Sequence, residues 1–262
     1  MKAKKIIYYS DELNDDFAGN DIKTAKVGKE FRFIHTNPLW KAVGFFLYYV
    51  IAVPLVWLFM KLWHGLKYEN KKAIKKVKKS GYILYANHTQ MFDSFLPATA
   101  SFPKKGYVIA NPDAVSIPFL RNIVQMFGCV PIPTEFSAMR PFMNAVNKIL
   151  CDGGSMTIFP EAHIWPYYTG LRPFTDVSFR YAIKANVPVI PMATTYRKRK
   201  GLFALSKRPA MTVTVSEPIY PDKSLSPKEA QKKLRDETYA AMKKIISERE
   251  NVEYIRYLKK EA

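Results

Sequence analysis

Cysteine is scarce in this chain: Cys129 and Cys151 are the only two among 262 residues. Two thiols make no disulfide framework, so a reducing compartment is expected, with each cysteine read as a small buried apolar side chain. The four histidines are scattered without ligand spacing, so no metal site is expected. There is no glycine-rich phosphate loop, which disfavours phosphoryl transfer. Acidic residues are few, 22 Asp and Glu against 41 Lys and Arg, for a formal net charge of +19. That surplus points to an anionic partner: nucleic acid, a membrane surface, or an acidic substrate or carrier protein. No short apolar region lies near Met1, so no signal peptide is expected.

What the chain does have is one long uncharged run, "AVGFFLYYVIAVPLVWLFM", residues 42–60, bracketed by Lys41 and Lys61. As a helix it would reach about 28 Å, close to the hydrocarbon thickness of a bilayer. Trp40, Trp57 and Trp63 stand where interfacial aromatics belong. Pro54 would kink the helix, so the run is expected either to span a membrane or to dip into one leaflet. Eight lysines and no arginine follow between Lys61 and Lys79. Such a cluster suits an anionic cytoplasmic leaflet and places the rest of the chain on the cytoplasmic face.

Beyond Gly81, short apolar segments alternate with helical ones. "GYILYAN", "GYVIA", "CVPIP", "SMTIF", "VPVIPMATTY" and "AMTVTV" read as strands. "SIPFLRNIVQMFG", "AMRPFMNAVNKILCDGG" and "FTDVSFRYAIKAN" read as helices. A last helix over 226–250 begins with Ser226 as N-cap, Pro227 as first helical residue and Glu229 as capping-box partner. The pattern predicts an α/β fold, a mixed sheet flanked by helices, preceded by an apolar membrane-anchoring helix or helical hairpin. The expected division is an anchoring segment over 1–68 and a single domain over 69–262.

The stretch "NHTQMFD", 87–93, places polar residues where a buried strand ends, the edge at which ligands bind in open α/β sheets. If His88 lies in the strand-to-helix turn and Asp93 in the first helical turn, Asp93 can accept the proton of one imidazole nitrogen. The other nitrogen is then a general base. With no protein nucleophile between them, the pair suits direct transfer, the base deprotonating a substrate hydroxyl that attacks an activated carbonyl. A second strand, "MTIF", also runs into polar residues, Pro160, Glu161 and His163.

Four blocks in this order resemble the glycerolipid acyltransferases, enzymes of the lysophosphatidic acid acyltransferase type. They are "NHTQMFD" with Asn87, His88 and Asp93; "SIPFLRNIVQMFGCVPIP"; "FPEAH" with Phe159, Pro160 and Glu161; and "VPVIPM" with Pro188 and Pro191. The resemblance covers roughly residues 80–217, about half the chain. It implies His88 as general base oriented by Asp93, and acceptor binding by Glu161, with Asn87 of the first block beside them; apart from the resemblance, His163 is expected as a second polar contact in the acceptor pocket. It also implies a fatty acyl thioester as donor, on coenzyme A or acyl carrier protein, and no tightly bound cofactor. The expected partners are membrane lipids and a lysophospholipid acceptor.

The chain departs from the family at two points. Thr134 stands where an arginine usually closes the second block, and Ala162, His163 and Ile164 replace the Gly-Thr-Arg that usually follows the third-block Glu. Arg140, Arg172 and Arg180 are near in sequence, and Arg140 or Arg172 is expected to take over the acceptor phosphate. Two other readings remain: a catalytically altered membrane scaffold of the same fold, and a basic nucleic-acid binder suggested by "YRKRKG" at 196–201. The retained His88, Asp93 and Glu161 weigh against the first, and the 42–60 run, with no nucleic-acid-binding motif, against the second.

Overall fold

The computed structural model describes residues 4–19, 22–117, 119–201 and 204–260. Seven strands form one sheet, in the order β2 (Lys67–Glu69), β8 (Ala210–Val215), β7 (Val189–Arg197), β3 (Tyr82–Ala86), β6 (Ser155–Ile158), β4 (Gly106–Ala110), β5 (Cys129–Pro131). Every pairing is parallel except β7 with β8, so the sheet is mixed, as expected. β3 lies near the centre and all five of its residues are buried. Ile83 and Tyr85 join one apolar cluster; Tyr82, Leu84 and Ala86 join another on the opposite face. That two-sided burial explains why the strand reads as a continuous apolar run rather than an alternating one.

The first face is covered by α3 (Met139–Cys151), α4 (Arg180–Ala185) and α5 (Pro227–Glu248), which supply Phe142, Val146, Ile149, Ala182, Leu234 and Met242. α5 starts at the Ser226 capping box, where the Ser226 side chain accepts from Glu229 N and the Glu229 carboxylate accepts from Ser226 N at 3.1 Å. It ends at Glu248, two residues before the expected limit. α2 (Leu120–Met126) is shorter than the expected helix, which would have begun at Ser116; Phe119 at its start has φ +65, and Pro118 lies outside the described residues. The segment 177–185 opens as a 3₁₀ turn before α4 and closes at the left-handed Asn186. Cys129 is buried as expected, but Cys151, at the solvent end of α3, is exposed. Three strands were not expected. β1 (Lys5–Tyr9) pairs in parallel with β9 (Ile255–Lys259), and β2 straddles the expected boundary at residue 68.

The apolar run forms one continuous helix, α1 (Pro38–Leu62), not a hairpin; among the described residues it is the one helix long and apolar enough to cross a membrane. Residues Phe46–Ala52 are wound as a π-helix directly before Pro54. Gly44, Tyr48, Val53 and Met60 face the protein and are buried. Their spacing of four, then five, then seven shows what the π turn does: one extra residue keeps a single face turned inward across the proline. The Tyr48 hydroxyl accepts from Gly106 N at 2.8 Å, fixing α1 to β4. The outer face exposes Phe45, Phe46, Val50, Leu55, Trp57, Leu58 and Leu62.

Candidate active site

β3 delivers Asn87 and His88 to the carboxyl edge of the sheet, and Gln90 then caps a 3₁₀ turn over Met91–Phe95 in which Asp93 is the third residue. The capping geometry buries the Asp93 carboxylate completely. Its Oδ2 accepts from Thr89 N at 2.7 Å and Gln90 N at 2.8 Å, and lies 3.3 Å from His88 Nδ1. A carboxylate only accepts, so Nδ1 carries the hydrogen and Nε2 keeps its lone pair. The imidazole is stacked on Phe159, ring centroids 4.3 Å apart, and its side chain is 15% exposed. The pairing read from the sequence required His88 in the turn and Asp93 in the first helical turn, and the structure has both there. It did not show Phe159 as the ring's platform, nor Tyr196, whose hydroxyl meets Thr89 Oγ1 at 2.8 Å and accepts from Gln90 Nε2 at 3.1 Å.

Glu161 differs from the expectation of an acceptor ligand. It is buried, Oε2 accepting from His88 N at 2.9 Å and Oε1 from Arg172 N at 2.8 Å. Both carboxylate oxygens are thus occupied by the protein backbone, and burial drives its pKa up, opposed by the Arg172 charge and these N–H groups. Arg172 is corrected with it. Only 1% of its side chain is exposed, and its guanidinium donates to the carbonyls of Glu161, His163 and Glu12 and lies over the Trp165 ring. It fastens the loop after β6 to the N-terminal segment and has no surface to offer a phosphate. Asn87 is likewise consumed: fully buried, it donates to Thr194 O at 3.1 Å and accepts from Thr194 N at 2.8 Å, carrying the β3–β7 pairing past the strand end.

Arg140 is exposed on the first turn of α3 and is not among the residues that line the cavity at His88. His163 is half-exposed beside that cavity, Nδ1 3.6 Å from Asp16 Oδ2. Thr134 anchors the N-terminal segment, its Oγ1 accepting from Val27 N at 2.8 Å and its N–H donating to Val27 O at 3.2 Å. The place of the family's second-block arginine is therefore taken by a backbone tether.

The cavity at His88 holds about 770 Å³. Val108, Ile109, Ile132, Phe142, Ile158 and Phe159 give it apolar walls, and Asp16, Asp113 and Arg180 its fixed charges. An imidazole with one nitrogen held by a carboxylate, opening on an apolar cavity, can take a proton from a hydroxyl and shelter a long chain. Among the described residues no cluster of His, Cys, Asp or Glu could hold a metal ion.

The sequence model of the acyltransferase family matches residues 65–195, which contain His88, Asp93 and Glu161. Among solved structures, the chain resembles the 1-acyl-sn-glycerophosphate (LPA) acyltransferase PlsC from Thermotoga maritima. The identity is 18% and the TM-score 0.55, over 82% of this chain and 98% of that one. No curated protein matches. With the family's ordered blocks in place and half its length matched, the chain belongs to the glycerolipid acyltransferase family.

Proposed function

We propose that this acyltransferase moves a fatty acyl group from a thioester, carried by coenzyme A or acyl carrier protein, to a hydroxyl of a lysophospholipid-like acceptor. The observation that carries the reading is the buried Asp93 carboxylate at His88 Nδ1, which leaves Nε2 as the base. Nε2 takes the acceptor hydroxyl's proton as its oxygen attacks the thioester carbon. The tetrahedral intermediate collapses with loss of the thiolate, which recovers the proton from the imidazolium. Asp93 stabilises that cation and holds the tautomer. The product class, a diacylated phospholipid, fits phospholipid synthesis or remodelling, and the solved neighbour's name, an LPA acyltransferase, supports it.

The same reading places the enzyme on a membrane, embedded in one leaflet. The outer face of α1 is apolar, and its Phe59 meets Phe92 of the 3₁₀ turn at 5.1 Å, so this surface runs on to the His88 motif. The segment before α1 is bound to the domain through β1–β9 and Val27–Thr134, and the segment after it through β2–β8. A helix whose two flanks join the same domain lies along the bilayer surface instead of crossing it. Purified protein given a panel of acyl thioesters and lysolipids should form diacyl products detectable by mass spectrometry. His88→Ala should lower turnover by about 10²–10⁴-fold while keeping its circular dichroism. Wild-type turnover by a folded His88→Ala protein rejects this chemistry.

A further inference from the structure

The charges around the general base are few and unevenly satisfied. Among the described residues, Arg180 is the only Lys or Arg lining the cavity at His88. The two carboxylates there have partners: Asp16 faces His163, and Asp113 Oδ1 accepts from Thr24 Oγ1 at 2.7 Å. Arg180 has none of that kind. Its Nε is buried without a hydrogen bond, and its guanidinium lies over the ring of Tyr181, 5.5 Å from the centroid, with no ion pair among the described residues. A buried Nε–H without a partner is costly unless a ligand completes it, and the half-buried guanidinium that carries it offers a planar fork that matches a phosphate.

The other arginines near the motifs are spent or misplaced: Arg172 is buried in carbonyl contacts, and Arg140 is exposed off the cavity. A phosphate entering without Arg180 would meet only carboxylates among the fixed charges. We infer that Arg180 is the specificity-determining contact for an anionic acceptor, a lysolipid bearing a phosphate group, in place of the arginines missing after the second and third blocks. This rests on the acyl-transfer reading above. Acyl thioester donors also carry phosphates; the acceptor is favoured because its hydroxyl must reach His88 in this cavity.

The test compares wild type, Arg180→Ala, Arg180→Lys and His88→Ala, each checked by circular dichroism. Two acceptors with the same acyl chain are used, one a lysolipid phosphate and one a neutral monoacylglycerol, with a fixed donor. Loss of one charge-assisted phosphate contact should cut the ratio of kcat/KM, phosphorylated over neutral, by about ten- to a hundredfold in Arg180→Ala, mostly through acceptor KM. Arg180→Lys should recover part of the ratio, since a point charge remains without the fork. An unchanged ratio, a change confined to donor KM, or a wild type that prefers the neutral acceptor overturns the inference. If His88→Ala is inactive while Arg180→Ala keeps the wild-type ratio, this inference alone fails. If His88→Ala stays active, the catalytic reading fails with it.

Discussion

Burial drives Glu161 and Arg172 toward neutrality from opposite sides: the carboxyl pKa is raised, the guanidinium pKa lowered. The pair is therefore a poor source of net stability, and its value lies in geometry, Glu161 holding the backbone of His88. Glu161→Gln leaves Arg172 uncompensated and should destabilise the fold by about 3–5 kcal/mol. Glu161→Gln with Arg172→Met should regain much of that stability in thermal melts, while kcat stays low because His88 N has lost its carboxylate. Recovery of kcat along with stability would show that Glu161 does not position the base. The pH dependence has a definite sign. With its folded pKa raised above 4.5, Glu161 adds stability that is complete below that value and is lost as pH rises through the raised one. The double variant should thus gain on wild type from acid toward neutral pH. His88 and Asp93 were legible because they contact each other across five residues. Asn87 and Arg172 were not, because what consumes them, Thr194 and the carbonyl of Glu12, lies 107 and 160 residues away.

Strands buried on both faces announce themselves as apolar runs, and β3, β5, β6, β7 and β8 were readable for that reason, while β4, half-buried on one face, was readable from its apolar composition. β1, β2 and β9 were not: none of them has a fully buried residue, and β1 and β9 exist only through a pairing between the two ends of the chain. The π turn in α1 was equally hidden, since it reflects which face must meet the domain. At the entry to β3 a glycine decides the packing. A Cβ on Gly81 would collide with the carbonyl oxygen of Leu150, near the end of α3, and backbone on both sides cannot swing away as a side chain would. Gly81→Ala should destabilise the protein by about 1–3 kcal/mol in denaturant titration. It should also disturb turnover, because β3 carries His88. A stability equal to wild type would mean that α3 and β3 are not seated this closely.

For the whole molecule, the sequence showed a run able to reach across a bilayer, but its length could not choose between crossing and lying flat. The partners of its flanks support the flat arrangement proposed above. Ser10, beside β1, and Lys79, before β3, belong to the same domain and so should face the same side of a membrane. Sealed vesicles with anionic lipid supply the test. In a Cys151→Ser background, which removes the exposed thiol and leaves Cys129 buried, Ser10→Cys and Lys79→Cys should both react with an impermeant maleimide added outside. Reaction of one and protection of the other would mean that α1 spans. Attachment should have two separable parts. Each lysine in 61–79 near the surface adds about 1 kcal/mol that salt screens, whereas the outer face of α1 holds by buried apolar area that salt does not weaken. High salt should therefore leave wild type bound to vesicles. Phe46→Glu with Trp57→Glu, both on the outer face, should make binding salt-sensitive and slow acylation of vesicle-borne acceptor. Full release of wild type by salt alone would mean that α1 is not embedded.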